Sequence, residues 1–222
     1  MATSPELLVA YGRTFTFPER EGGRAATAEL VAVPGPEVTL RSGDVLLLDA
    51  WSPDFWPQDA QVRLSPGRHP TTLGVVHLPD PDGAIWPVGC AAVLGRADLV
   101  AAWRTLVVDG EPFRADVGTG LGAVADAAAI DALRVLADDD DHMATVMDAT
   151  PQGSDRLTAM EVGDGVAAVA FAPSQGSWTY PVHVGLDDEG RSVAVLVDVD
   201  WLEESNLVDS DHPATATGDA PR

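Results

Sequence analysis

Two short stretches hold the residues whose types and spacing suit chemistry. The first is Asp116-Val117-Gly118-Thr119-Gly120, followed by Asp126; the second is Tyr180-Pro181-Val182-His183. Glycines let a backbone approach a ligand closely, and a helix starting just after them offers free amides to an anion. Residues 118–123, GTGLGA, have the outward form of a dinucleotide loop. That chemistry also needs a strand before the glycines, a parallel strand after the helix and an acid at that strand's end. Here the next apolar stripe runs into Asp138-Asp139-Asp140-Asp141-His142, and Asp116 would repel a pyrophosphate. No nucleotide and no other cofactor is expected. His183 is a titrating group close to Gly185 and Tyr180. Its alternation with Val182 and Val184 points rather to a polar residue on the wetter face of a strand. If both stretches border one sheet, Asp116, Thr119, Asp126, Tyr180 and His183 would line one cleft.

Other chemistries find less support. There is no Gly-x-Ser-x-Gly elbow and no His-Glu-x-x-His helix, and the five histidines are scattered. Consecutive acids on a helix point in different directions, and the Asp138–Asp141 run has no EF-hand glycine or closing glutamate. It reads as a solvated helix end, unfavourable to the macrodipole and prone to fray, and no metal is expected. The lone Cys90 lies in the apolar run IWPVGCAAVL. A disulfide within the chain is impossible, and the thiol is expected to pack as a small hydrophobe.

The chain has 222 residues, 45% of them hydrophobic, and a formal net charge of −22. That is enough to bury a sizeable core. Every basic residue is arginine. Coding bias or salt adaptation would give this composition, as would a surface evolved for a basic partner. A field this negative opposes phosphate backbones, so nucleic acid is not an expected partner. No apolar run approaches the ~18 residues of a membrane span. The start, MATSPELLVAYGRTF, lacks a basic, apolar leader, so a soluble cytoplasmic protein is expected.

The elements that would position these residues follow from periodicity. LLVAY, ELVAV and VLLLDA, between residues 7 and 50, read as strands bounded by Gly, Pro and Ser. AWSPDFWPQD, residues 50–59, is too proline-rich for a helix. Its aromatics either fold onto the core or expose Trp51, Phe55 and Trp56 as an interaction surface. TTLGVVHL and AIWPVGCAAVL read as antiparallel neighbours, with Pro87 at an edge or bulge. ADLVAAWRTLV reads as a helix capped by Asp98, with Leu99, Ala102, Trp103 and Leu106 on one face. A second helix follows the glycines, with Asp126 as N-cap and Ala129, Ile130, Leu133 and Leu136 as its stripe, and HMATVMDA forms a further amphipathic turn. GVAAVAFA reads as a buried strand. Val182, Val184 and Leu186 share one face, and Val193, Val195, Val197 and Val199 share one on the return strand, of a hairpin turned by Asp187-Asp188-Glu189-Gly190.

In their order and spacing these blocks resemble a bacterial family of unknown function, DUF4241. Asp116, Gly118, Thr119, Gly120 and Asp126 match its first block, and Tyr180, Pro181, Val182, Gly185, Leu186, Asp187, Gly190 and Asp198 its second. Leu48-Asp49-Ala50, residues 66–70 and Ala102-Trp103 also sit where the family places similar residues. Gly176-Ser177-Trp178-Thr179 departs from the family's Gly-Asp-Gly loop. The resemblance implies a mixed α+β fold and brings no established activity.

The expectation is therefore one α+β domain over residues 1–204, a mostly antiparallel sheet with two or three packed helices. Residues 205–222 read as a disordered polar tail. The expected function is a non-enzymatic binding protein, immunity-like, that neutralises a basic protein partner. The alternative is a small hydrolase-like enzyme with its pocket between the Gly-Thr-Gly turn and the Tyr-Pro loop. The oligomeric state is left open.

Overall fold

Period-two alternation decides which side chains meet which layer. A computed structural model describes residues 4–17, 26–52, 62–79, 85–151, 155–163, 165–173 and 178–199. In chain order the strands are β1 (Thr14–Phe17), β2 (Ala26–Pro34), β3 (Val38–Leu40), β4 (Asp44–Asp49), β5 (Val62–Arg63), β6 (Gly67–His69), β7 (Thr71–Pro79), β8 (Ile85–Gly95), β9 (Ala102–Thr105), β10 (Val107–Val108), β11 (Glu111–Pro112), β12 (Arg114–Val117), β13 (Gly122–Asp126), β14 (Leu157–Val162), β15 (Gly165–Phe171), β16 (Trp178–Leu186) and β17 (Ser192–Asp198). The helices are α1 (Pro5–Leu8), α2 (Ile130–Ala137) and α3 (Asp140–Ala149). Among the described residues all strand pairs are antiparallel. Eight strands form a curled half-barrel sheet in the order β1-β2-β7-β8-β17-β16-β12, with β9 also on β16. Five form a second sheet, β14-β15-β13-β4-β5.

Three apolar clusters explain the arrangement. Val45, Leu47, Val124, Val169 and Phe171 of the smaller sheet meet Leu73, Leu94, Tyr180, Val195 and Val197 of the larger one. The other face of the smaller sheet, with Leu46, Leu48, Ala123, Ala125, Ala168 and Ala170, packs under Leu133, Met143 and Val146 of α2 and α3. The outer face of the larger sheet, with Phe15, Leu30, Val76, Cys90 and Leu196, packs with Leu8 of α1. Strands such as VLLLD are therefore apolar at consecutive positions because both of their faces are covered. Each fully buried Leu, Val or Phe contributes about 1.5–3 kcal/mol.

The antiparallel sheet expected from the sequence is present. The packing differs from a single sheet with helices laid on it: two sheets stack face to face, and α2 and α3 cover the smaller one. The expected β16–β17 hairpin is present, with Val182 opposite Val197 and Val184 opposite Val195. β7 and β8 pair as expected, and Pro87 lies beyond Ala91, where the β17 register on β8 ends.

Three local readings are corrected. Residues 97–106 are not a helix: a 3₁₀ turn, Ala97–Leu99, leads into β9, and Asp98 bonds Arg96 instead of capping. The helical stripe was fortuitous, because Trp103 lies over Gly185 of the neighbouring strand. Leu7 and Leu8 belong to α1, entered through Pro5 at its first turn, not to a strand. The Asp138–Asp141 run does end α2, with Asp138 at its C-cap, but it also begins α3 and is not only a solvated end. Asp139 caps α3 by accepting from His142 N (3.1 Å), and Asp140 and Asp141 sit in its first turn, where the macrodipole favours acids. The 205–222 tail and the 53–61 segment with Phe55 and Trp56 lie outside the described residues.

The free side of β16 is covered by one strand course that carries an insertion. Leu106 N donates to Val182 O (2.8 Å), and Val182 N donates to Phe113 O (3.4 Å). Between them β10 and β11 form a small hairpin turned by Asp109 (φ 52°) and Gly110 (φ 85°). β12 then continues along β16 and delivers Asp116 to its end.

Candidate functional site

The glycine corner is where the chain changes sheets. β12 pairs with β16 in the larger sheet, while β13 pairs with β4 and β15 in the smaller one. Gly120 makes the crossover possible with φ 82°, a left-handed conformation that favours glycine. Asp49 fixes the corner from the end of β4. Its carboxylate is buried and accepts from Thr119 N (2.7 Å), Thr119 Oγ1 (2.7 Å), Trp51 N (3.0 Å) and Ser52 N (3.0 Å). A buried carboxylate is tolerated only with such donors, so Asp49 and Thr119 form a structural clasp.

Beside the clasp lies an open depression of about 270 Å³ lined by Asp116, Gly118, Trp178 and Thr179. Strand register creates it, with Asp116 opposite Thr179 and Val117 opposite Trp178. Arg114 holds one wall, donating from Nη2 to Thr179 O (2.7 Å) and from Nε to Thr179 Oγ1 (3.2 Å). Trp178 is 59% exposed, unusual for a large aromatic, and Asp116 is exposed beside it. Trp178 lies on the Tyr180 side of β16 and Asp116 with Thr179 on the other, and the two meet at the strand end, where both line the depression. An exposed indole and a carboxylate at one rim each attract a cationic group. Among the described residues the lining offers no nucleophile paired with a base. No known family, curated protein or solved structure matches this chain.

The five residues expected to share a cleft are distributed. Asp116 and Thr119 lie at the corner. Tyr180 is fully buried in the inter-sheet core, on the same face of β16 as Val182, and lines no surface. Asp126 ends β13, four residues beyond Gly122, roughly 13 Å along the strand. Its buried carboxylate accepts from Arg41 N and Ser42 Oγ, both at 3.1 Å, and ties down the turn before β4. It does not cap the following 3₁₀ turn with its side chain. His183 is 4% exposed, not on a wet face, because the outer face of the larger sheet is itself covered. Its Nδ1 lies 3.4 Å from Thr105 Oγ1 across the β9–β16 pair. Asp126 and His183 therefore belong to different sheets with different hydrogen-bond partners, and no acid–base pair forms between them. Trp51 is half-buried against the helix-side core.

The glycines also lead into a strand, β13, rather than a helix, so the corner presents no helix N-terminus to an anion. Cys90 is fully buried, and burial, with the Asp198 charge adding, pushes its thiol up to about 12. Such a thiol is a poor nucleophile at neutral pH. No described helix is long and apolar enough to cross a membrane. Sequence reasoning about the site missed Asp49 and Trp178. Asp49 carried a signal, an acid closing a strand that is apolar on both faces; Trp178 carried none, because its exposure depends on packing.

Proposed function

We propose that this chain is a non-enzymatic binding protein that captures a basic protein partner, in an immunity-like, partner-neutralising role. The observation that carries the reading is the exposed Trp178 beside the Asp116 carboxylate in an open depression. The net charge of −22 supplies the second ingredient, a long-range field that draws basic partners in. Arg114 adds one positive charge next to Asp116, but its guanidinium is engaged by Thr179. The depression then seats one cationic side chain of the partner, at the rim that the indole and the carboxylate share, after the field has brought it near.

The test is calorimetric titration with a nona-arginine peptide as surrogate partner. Binding weakens steeply between low and high salt, as expected for screened charges. Trp178→Ala and Asp116→Asn each weaken it about three- to thirtyfold at fixed salt, the range of a partly desolvated cation–π contact. Salt-independent binding, or variants that bind like the parent, would reject the proposal.

A further inference from the structure

We infer that Gly118 is a specificity-determining residue of this depression: its missing side chain keeps the floor open for the cationic head group. The inference rests on the binding reading above. Glycine is usually required by a left-handed backbone or by crowding, and at Gly118 neither is seen among the described residues. Its φ lies outside the left-handed region, in contrast to Gly120. A Cβ built there would meet only two atoms within 4 Å among the described residues, Asp116 Oδ1 at 3.8 Å and Asp49 Oδ2 at 3.9 Å, both ordinary contacts. By comparison, a Cβ at Gly122 would lie 2.5 Å from Phe171 Cζ. Among the described residues, nothing stands in the way of alanine at residue 118.

The space that a methyl group would fill is bounded by two carboxylate oxygens from different strands, and Gly118 lines the depression that Trp178 flanks. Asp49 is saturated by backbone and hydroxyl donors and contributes its field. Among the described residues no ion pair reaches Asp116, so its oxygen is left to contact a ligand. A methyl group between them would hold a guanidinium or ammonium group away from both acids.

The experiment compares nona-arginine binding by the parent, Gly118→Ala, Asp116→Asn and Trp178→Ala, with a urea unfolding curve for each. The expected result is about tenfold weaker binding by Gly118→Ala, comparable with loss of a cation–π partner, at an unchanged urea midpoint. If Asp116→Asn and Trp178→Ala weaken binding while Gly118→Ala does not, the role of Gly118 is refuted and the binding reading stands. If none of the three weakens binding, the binding reading itself fails. A lowered urea midpoint for Gly118→Ala also overturns the inference, because the fold would then need this glycine.

Discussion

Replacing Asp49 with alanine removes the clasp that holds the sheet crossover. Four hydrogen bonds to one carboxylate disappear, and the amides of Thr119 and Trp51 lose this acceptor, while Ser52 N keeps the Asp49 carbonyl at 3.2 Å. Hydrogen bonds to a charged group contribute about 1.5–3 kcal/mol each, and losing all four would suggest a larger total than the protein will show. Two effects reduce it. Asp49 no longer pays desolvation, and Thr119 lies at the surface, where water replaces part of what is lost. A net loss of about 3 kcal/mol is expected, within the range for breaking a buried polar network. Asp49→Asn, which keeps the shape but turns an NH₂ toward donors, should lose about half as much. The assay is urea unfolding followed by far-ultraviolet circular dichroism at pH 7, with amide exchange at Thr119 as the local readout. A loss below about 1 kcal/mol for the alanine variant, with Thr119 protection unchanged, would refute the clasp.

Two other expectations are independent of binding. Gly122→Ala drives a Cβ against the Phe171 ring at 2.5 Å and should cost about 1–3 kcal/mol by overpacking, read as a lower urea midpoint; a neutral result would show that Phe171 can swing aside. Cys90, held at about 12, should resist a thiol reagent in the native protein at pH 8 and react fully in denaturant. Because its folded pKa is raised, it adds stability that is complete below the ordinary thiol value and fades as pH rises from about 9 toward 12, which pH-dependent unfolding of the parent and Cys90→Ala would reveal.

Local pattern explains what was legible before any coordinates. The β16–β17 hairpin could be read because valines alternate on both sides of a turn whose residues favour one. The β7–β8 pair could be read for the same reason. Residues 97–106 were misread because a short edge strand with Trp103 over Gly185 happens to space its apolar residues like a helix. α1 was invisible because a four-residue helix has no period to detect. The site was the least legible part. Asp49 and Thr119 are seventy positions apart and meet only through the crossover between sheets. Asp126 and His183 look equivalent in sequence but sit on different sheets, and no local rule carries that information.

The central claim is that the indole of Trp178 and the Asp116 carboxylate seat a cationic side chain. The most direct measurement is to follow the Trp178 indole N–H resonance by two-dimensional NMR during titration with nona-arginine, assigning it by loss in Trp178→Phe. The account predicts a saturable shift of that resonance, reversed by salt and abolished in Asp116→Asn. A Trp178 signal that stays still while resonances elsewhere, such as those of α2 and α3, move would contradict it.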